Sequence, residues 1–324
     1  MGGGGLYSFA ISVEWENTRF AELQRTRLML RSLRAQIVAL PQPPVPPVIN
    51  FLFDRRTVDA GLMARVLAEE FTYGAPPVEV NTVATDGLRY YELKNLGAQH
   101  ASADIQIFLD CDVVPEPGWL AAMLDAFDDP KVDVVGGETY IEQVSFYSRA
   151  FALFWFFPLR DGSESLELAP RFHANNVAFR SAVFAKHPFP DMDAYRGQCV
   201  VLGRTLHANH IGLYVQKRAR VSHPCPLGLW CFAARALHNG RDWVLVLDVA
   251  GQQEGPVVKR IRWTMYSNIR RASDRIRRYH RQIGLGAMGK LAAFGLAGSY
   301  FVLQALGSWI TLYWRDAIRR YFPL

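Results

Sequence analysis

The stretch IFLDCDVVPEPGWL, Ile107 to Leu120, decides the fold. Its apolar start runs straight into Asp110-Cys111-Asp112, and Pro115, Pro117 and Gly118 then forbid a regular continuation. An apolar run closed by turn residues reads as a buried strand. Two carboxylates at i and i+2 can both face one site as the chain leaves the sheet. Open α/β sheets gather their ligands at the carboxyl ends of strands. A hard divalent cation there is held by one or two carboxylates together with substrate phosphates. A solvated turn rich in Asp and Pro is the plainer alternative.

Working outward, the same alternation recurs. Strands are expected at Phe9–Trp15, Val48–Phe53, Val78–Ala84, Ile105–Leu109 and Val132–Gly136. Helices are expected at Thr18–Leu40, Ala60–Phe71, Tyr90–His100 and Trp119–Asp128, the first of them broken by the proline run Pro41–Pro47. Strand–helix alternation predicts an α/β fold, a mostly parallel sheet with helices on both faces. Beyond Gly137 the pattern loosens. Phe172–Arg180 reads as a strand with a turn, Val200–Ala208 as a helix and Leu213–Val221 as a strand. The aromatic run Phe146–Pro158 and the apolar, amphipathic Pro224–Gly240 cannot be oriented by periodicity alone.

Charge divides the chain. Val257–Gln282 carries nine Lys/Arg against Asp274, whereas Met1–Pro256 is net acidic. A basic tail suggests an anionic partner, a membrane or a nucleic acid. Leu291–Trp314 then runs 24 residues without a charge, flanked by Lys290 and Arg315. That length and composition suit a bilayer-associated helix with a basic approach, or a helix buried against a partner. Four scattered cysteines without a C-x-x-C pair argue against a zinc ribbon and fit a reducing compartment. No basic, then apolar, secretory leader is expected at the start. The Arg-rich stretch lacks any nucleic-acid fold motif, so no nucleic-acid partner is expected.

Five segments resemble the family 2 glycosyltransferases of the GT-A fold: ISVEWEN (Ile11–Asn17), FDRRTVD (Phe53–Asp59), GLRYYELKNLGAQHASADIQIFLDCD (Gly87–Asp112), NNVAFRSAVF (Asn175–Phe184) and VSHP (Val221–Pro224). The resemblance implies a Rossmann-like GT-A domain over 1–240, to which 241–282 adds a basic interfacial segment and 283–324 an apolar C-terminal helix. It implies a nucleotide-sugar held by Glu16, Asn17, Asp54, Lys94 and Asp110. It implies Mn2+ or Mg2+ at Asp110 and Asp112, with His223 as a further ligand or a hydrogen-bonded structural residue. Lys94 is either a phosphate contact or a solvated helix charge. Gly136, Gly137, Asn175, Asn176 and Gln198 would line the acceptor side. Sugar transfer to a glycan or lipid-linked acceptor follows, with inversion, at the cytoplasmic face of the cell membrane or peripheral to it.

Two departures matter. Glu14 replaces the proline usual at the exit of the family's first strand. In RGQCVVLGRTL, Arg196–Leu206, Gly197 and Gln198 stand where the family carries an acidic pair, and Gln cannot accept a proton as a carboxylate does. Either the base comes from Glu138, Asp191, Asp193 or His207, or the acceptor is already ionised, as a lipid phosphate is, or the chain is a membrane-bound scaffold that only binds. The missing Gly-rich basic loop argues against a sugar-phosphate nucleotidyltransferase.

Overall fold

The computed structural model describes residues 7–15, 23–41, 45–71, 78–157, 159–160, 163–250 and 256–322. The chain divides into two units. The first comprises Met1–Thr139, Asp161–Asp191 and Leu202–His223, and the second Tyr140–Arg160, Met192–Val201 and Pro224–Leu324. The second unit thus takes in both segments expected at 241–282 and 283–324, along with residues from within 1–240.

The first unit is built on β1 (Phe9–Trp15), β2 (Val48–Asp54), β3 (Glu79–Thr85) and β4 (Ile105–Asp110), joined by α1 (Leu23–Ala39), α2 (Ala60–Phe71) and α3 (Tyr90–Gln99). These strands lie side by side in the order β3-β2-β1-β4, all parallel. Every residue of β1 and β4 is buried. Central parallel strands are covered on both faces, which is why they read as unbroken apolar runs. β3 is the edge, and its Glu79 and Val80 are exposed.

The sheet then changes direction. β5 (Val114–Pro115) lies in the turn after the two aspartates, and α4 (Trp119–Asp125) ends in a 3-10 turn at Ala126–Asp128 instead of running on as α-helix. β6 (Val134–Ile141), β8 (Asn176–Arg180) and β9 (Leu213–His223) complete the path, with β7 (Leu166–Leu168) paired to β9. β4 pairs β8 antiparallel, and β8 pairs β6 antiparallel. The sheet is therefore mostly parallel on one side only. Sequence reading missed β5 and β7 because two- and three-residue strands leave no periodicity to detect.

One glycine shows why the antiparallel half needs its residues. A Cβ on Gly137 would sit 2.0 Å from the Ala219 carbonyl and 2.4 Å from Asn176 Nδ2. The backbones of β6 and β9 approach there as closely as only glycine permits.

The second unit is helical: α5 (Phe146–Ala152), α8 (Gly228–Ala250), α9 (Val257–Tyr279), α10 (Ala287–Tyr313) and α11 (Ala317–Tyr321). The remaining helices among the described residues are α6 (Ser181–Lys186) and α7 (Gln198–Ala208). α8 and α10 touch backbone to backbone. A Cβ on Gly240 would meet Gln304 O at 2.0 Å, and one on Gly307 would meet Leu237 O at 2.1 Å. Ser308 Oγ donates to Gly240 O across the crossing at 2.9 Å. Phe151, Phe154, Trp155, Phe232 and Tyr300 interlock beside it, so the aromatic run packs into this unit from Tyr147 to Phe157, while Phe146 is exposed.

Among the described residues α10 is the one helix long and apolar enough to cross a membrane. It is not apolar on all sides by solitude: Ala297, Tyr300, Gln304, Gly307, Ser308 and Thr311 are buried within the unit. Met288, Leu291, Val302, Leu306, Trp309 and Tyr313 form an exposed stripe. The partner helix α8 carries buried Arg241 and Asp242.

Candidate active site

β1 and β4 bring Glu14 and Asp110 into register as neighbours on parallel strands. α3 lies over them, and its Tyr90 and Lys94, four residues apart, fall on one helix face. Tyr90 Oη donates to both Asp110 carboxylate oxygens, at 2.7 and 2.9 Å. Lys94 Nζ donates to Asp110 Oδ1 at 2.7 Å and lies 3.7 Å from Glu14 Oε2. All of Lys94, Glu14 and Asp110 are buried, the lysine and glutamate side chains completely. A buried cation persists only with such partners. In the structure the Lys94 ammonium is thus engaged with carboxylates of the protein. Glu14, the departure at the strand exit, faces this lysine.

Asp112 is set apart from Asp110 by the turn. It is half-buried, and its carbonyl accepts from Arg25 Nε at 2.6 Å. The same guanidinium donates to Ser222 Oγ at 2.7 Å. Ser222 pairs with Val114 between β9 and β5, so the strand end bearing buried His223 is stapled beside the Asp112 turn. His173 belongs to this neighbourhood: burial pushes its pKa down to about 3, with Arg171 and His223 adding to the effect. Among the described residues no three His, Cys, Asp or Glu side chains gather as a ready-made metal cage. The donor set still suits a hard cation. A carboxylate at a strand end, sharing the ion with diphosphate oxygens and water, needs no cage.

Residues 84–186 match the family model described as Glycosyl transferase family 2, a span that contains Lys94, Asp110, Asp112, Gly137 and Asn176. The likeness to that family is carried by this segment, which is less than half of the chain. Its fold is similar to a solved structure described as "Mannosyltransferase PcManGT from Pyrobaculum calidifontis in complex with GDP-Man and Mn2+". The two are 15% identical with a TM-score of 0.59, over 96% of this chain and 88% of that one, and the likeness places the fold as GT-A. No curated protein matches the chain.

The remaining expected residues are placed as follows. Glu16 and Asn17 lie outside the described residues. Asp54 ends β2 and accepts from the Arg56 guanidinium, the Arg56 N–H and the Gly87 N–H. The guanidinium above all holds its carboxyl below the usual carboxylate range. Glu138 sits half-buried on β6, 3.3 Å from Arg220 Nε and 3.6 Å from Lys217 Nζ. Asp191 is exposed and bonded to Arg89 at 2.6 Å. Asp193 accepts from Arg241 and Arg319, both at 2.9 Å, and His207 is exposed. Asn175 Oδ1 accepts from Thr139 Oγ1. Asn176 is consumed by structure: its amide accepts from Trp119 Nε1 and donates to the Glu138 and Ala219 carbonyls. Gln198 is buried and donates to Ala194 O in the second unit.

Sequence reasoning missed Tyr90, Arg25 and His173. The i, i+4 spacing of Tyr90 and Lys94 was a usable signal for the first. Nothing local links Arg25 to Asp112, 87 residues away.

Proposed function

We propose that the chain transfers a sugar from a nucleoside-diphosphate sugar to a glycan or lipid-linked acceptor at a membrane face. The observation that carries this reading is the buried strand β4, which ends at Asp110 and leads into the turn bearing Asp112, inside the stretch that matches the family. The donor's nucleotide would lie over the carboxyl ends of β1, β2 and β4, with Asp54 and Asp110 bounding the pocket. Asp112 would hold Mn2+ or Mg2+ jointly with the diphosphate. When bound, the ion neutralises charge on the departing diphosphate. The mannosyltransferase of similar fold makes GDP-mannose with Mn2+ the first donor to try.

In the transfer an acceptor oxygen bonds to the anomeric carbon while the bond to the diphosphate oxygen breaks, its electron pair leaving with the diphosphate; the attack inverts that carbon. A hydroxyl acceptor also surrenders a proton. Glu138 is the carboxylate we assign to receive it, because it is half-buried beside Gly137 in the unit that bears Asp110 and Asp112, whereas Asp191 is exposed and Asp193 belongs to the second unit. A lipid phosphate, already ionised, needs no base. Glu138→Gln distinguishes the two: it lowers transfer to a hydroxyl by about 100-fold or more and leaves transfer to a lipid phosphate near wild type.

The deciding measurement is thermal stabilisation by UDP, GDP and their sugars, with and without Mn2+ or Mg2+. A ligand of the native state raises Tm by mass action. A metal-dependent shift with one nucleotide, abolished in Asp112→Asn, is expected. No shift with any nucleotide in folded protein would leave a scaffold that keeps the fold without its donor chemistry.

A further inference from the structure

α9 turns two sides outward from its axis. Ile261, Ala272 and Ile276 are buried on one. The other, spaced i, i+3, i+7, i+11 and i+15 from Trp263, borders an open cavity of about 560 Å3. Its aromatic wall is Phe157 and Tyr279, with ring centroids 4.9 Å apart. The Arg275 guanidinium lies 4.6 Å over the Phe157 ring, which fixes its position. Arg271 is held by a hydrogen bond to the Asn268 side chain. Arg270 and Arg278 also border the cavity, are exposed, and form no ion pair among the described residues. Asp274 is the one acid of the lining, so four guanidiniums leave a surplus of three positive charges.

We propose that this cavity binds the phosphate headgroup of an anionic lipid. Four guanidiniums around one opening match a phosphomonoester's oxygens, which Arg recognises through paired N–H donors. The volume is that of a small-ligand site. What commits the site to a lipid over a free phosphate or an RNA backbone is the apolar surface on the same helix. Trp263 is 69% exposed and Tyr266 57%, and Ile269 and Val258 are also open to solvent. Tryptophan and tyrosine beside cations are the composition of a membrane–water interface. The site lies wholly in the second unit and does not depend on sugar transfer.

The test uses the full chain with sedimented vesicles of phosphatidylcholine alone or mixed with phosphatidic acid. Wild type should bind the mixed vesicles at least about tenfold more tightly than phosphatidylcholine alone, with affinity falling as salt rises. Arg270→Glu/Arg278→Glu should lose most of that difference while keeping the wild-type Tm, because both side chains are exposed. Trp263→Ala should weaken binding to both vesicles. Equal binding of the double variant and wild type to mixed vesicles would overturn the proposal. So would phosphate or RNA binding that the double variant loses while wild type ignores vesicles, since the occupant would then be soluble. Nucleotide stabilisation at the first unit reports separately on the proposed transferase.

Discussion

The two aspartates of the D-x-D segment have different jobs, and single substitutions should separate them. Asp110 neutralises Lys94, a lysine with no exposed side-chain surface. Removing Asp110 takes away the shorter of two buried ion pairs and leaves Lys94 only Glu14 at 3.7 Å, so the cost lies toward the lower end of the about 3–5 kcal/mol of a broken buried pair. Asp110→Ala should therefore lower Tm by many degrees before any effect on ligand is read. Asp112→Asn, a change of the same shape on a half-buried turn that keeps the carbonyl bond to Arg25, should change stability by less than about 1 kcal/mol. It should nonetheless abolish the metal-dependent nucleotide shift. Thermal melts of both variants, with and without nucleotide and Mn2+, check this. A stable Asp110→Ala protein would mean that Glu14 alone suffices to neutralise Lys94. The sequence showed the carboxylate pair because strand, turn and spacing are local. It hid the lysine's role, because whether a helix charge meets solvent or a strand end is decided by how α3 lies on the sheet.

Elements were legible in proportion to their length and periodicity. β1, α2 and β4 emerge within a residue of expectation, since a covered parallel strand and a one-faced helix write their burial into the sequence. The reversal to antiparallel pairing at β8 was not legible: a strand's direction relative to its neighbour leaves no mark on its own composition. Nor was the α8–α10 crossing, which rests on two glycines lying 67 residues apart in sequence, Gly240 and Gly307. Each faces main-chain atoms that cannot move aside as a flexible side chain can. Gly307→Val should destabilise the protein by about 1–3 kcal/mol or more through overpacking. Gly298→Val, on the same helix with open space at its Cβ, should cost little more than a surface change. Comparing urea midpoints of the two variants isolates the crossing. Equal midpoints would show that α10 is not held by backbone contact.

At the scale of the whole molecule, stability against pH should reflect two buried groups of the second unit that pull in opposite directions. Burial pushes His238 down to about 4, with Arg241 adding to the effect and its bond to the Phe322 carbonyl opposing it. Between pH 4 and 6.5 the unfolded chain binds a proton at this site that the folded chain refuses. Its contribution is therefore present above pH 6.5 and is lost as pH falls toward 4. Burial pushes Asp242 up to about 7, against the lowering effect of Arg241 and the Arg196 N–H. Here the folded chain holds a proton that the unfolded chain releases. That contribution is present below about pH 4 and is lost as pH rises toward 7. Each slope is about 1.4 kcal/mol per pH unit at most, and between pH 4 and 6.5 they oppose. Wild type should show little net dependence on these two groups over that window. His238→Gln should leave the Asp242 slope, so that stability falls as pH rises, and Asp242→Asn should leave the His238 slope, so that it falls on acidification. Urea denaturation at pH 4.5, 5.5 and 6.5 reads all three. Parallel pH profiles for wild type and both variants would show that neither group titrates across folding in this range, and that Arg241 keeps Asp242 ionised in spite of its burial.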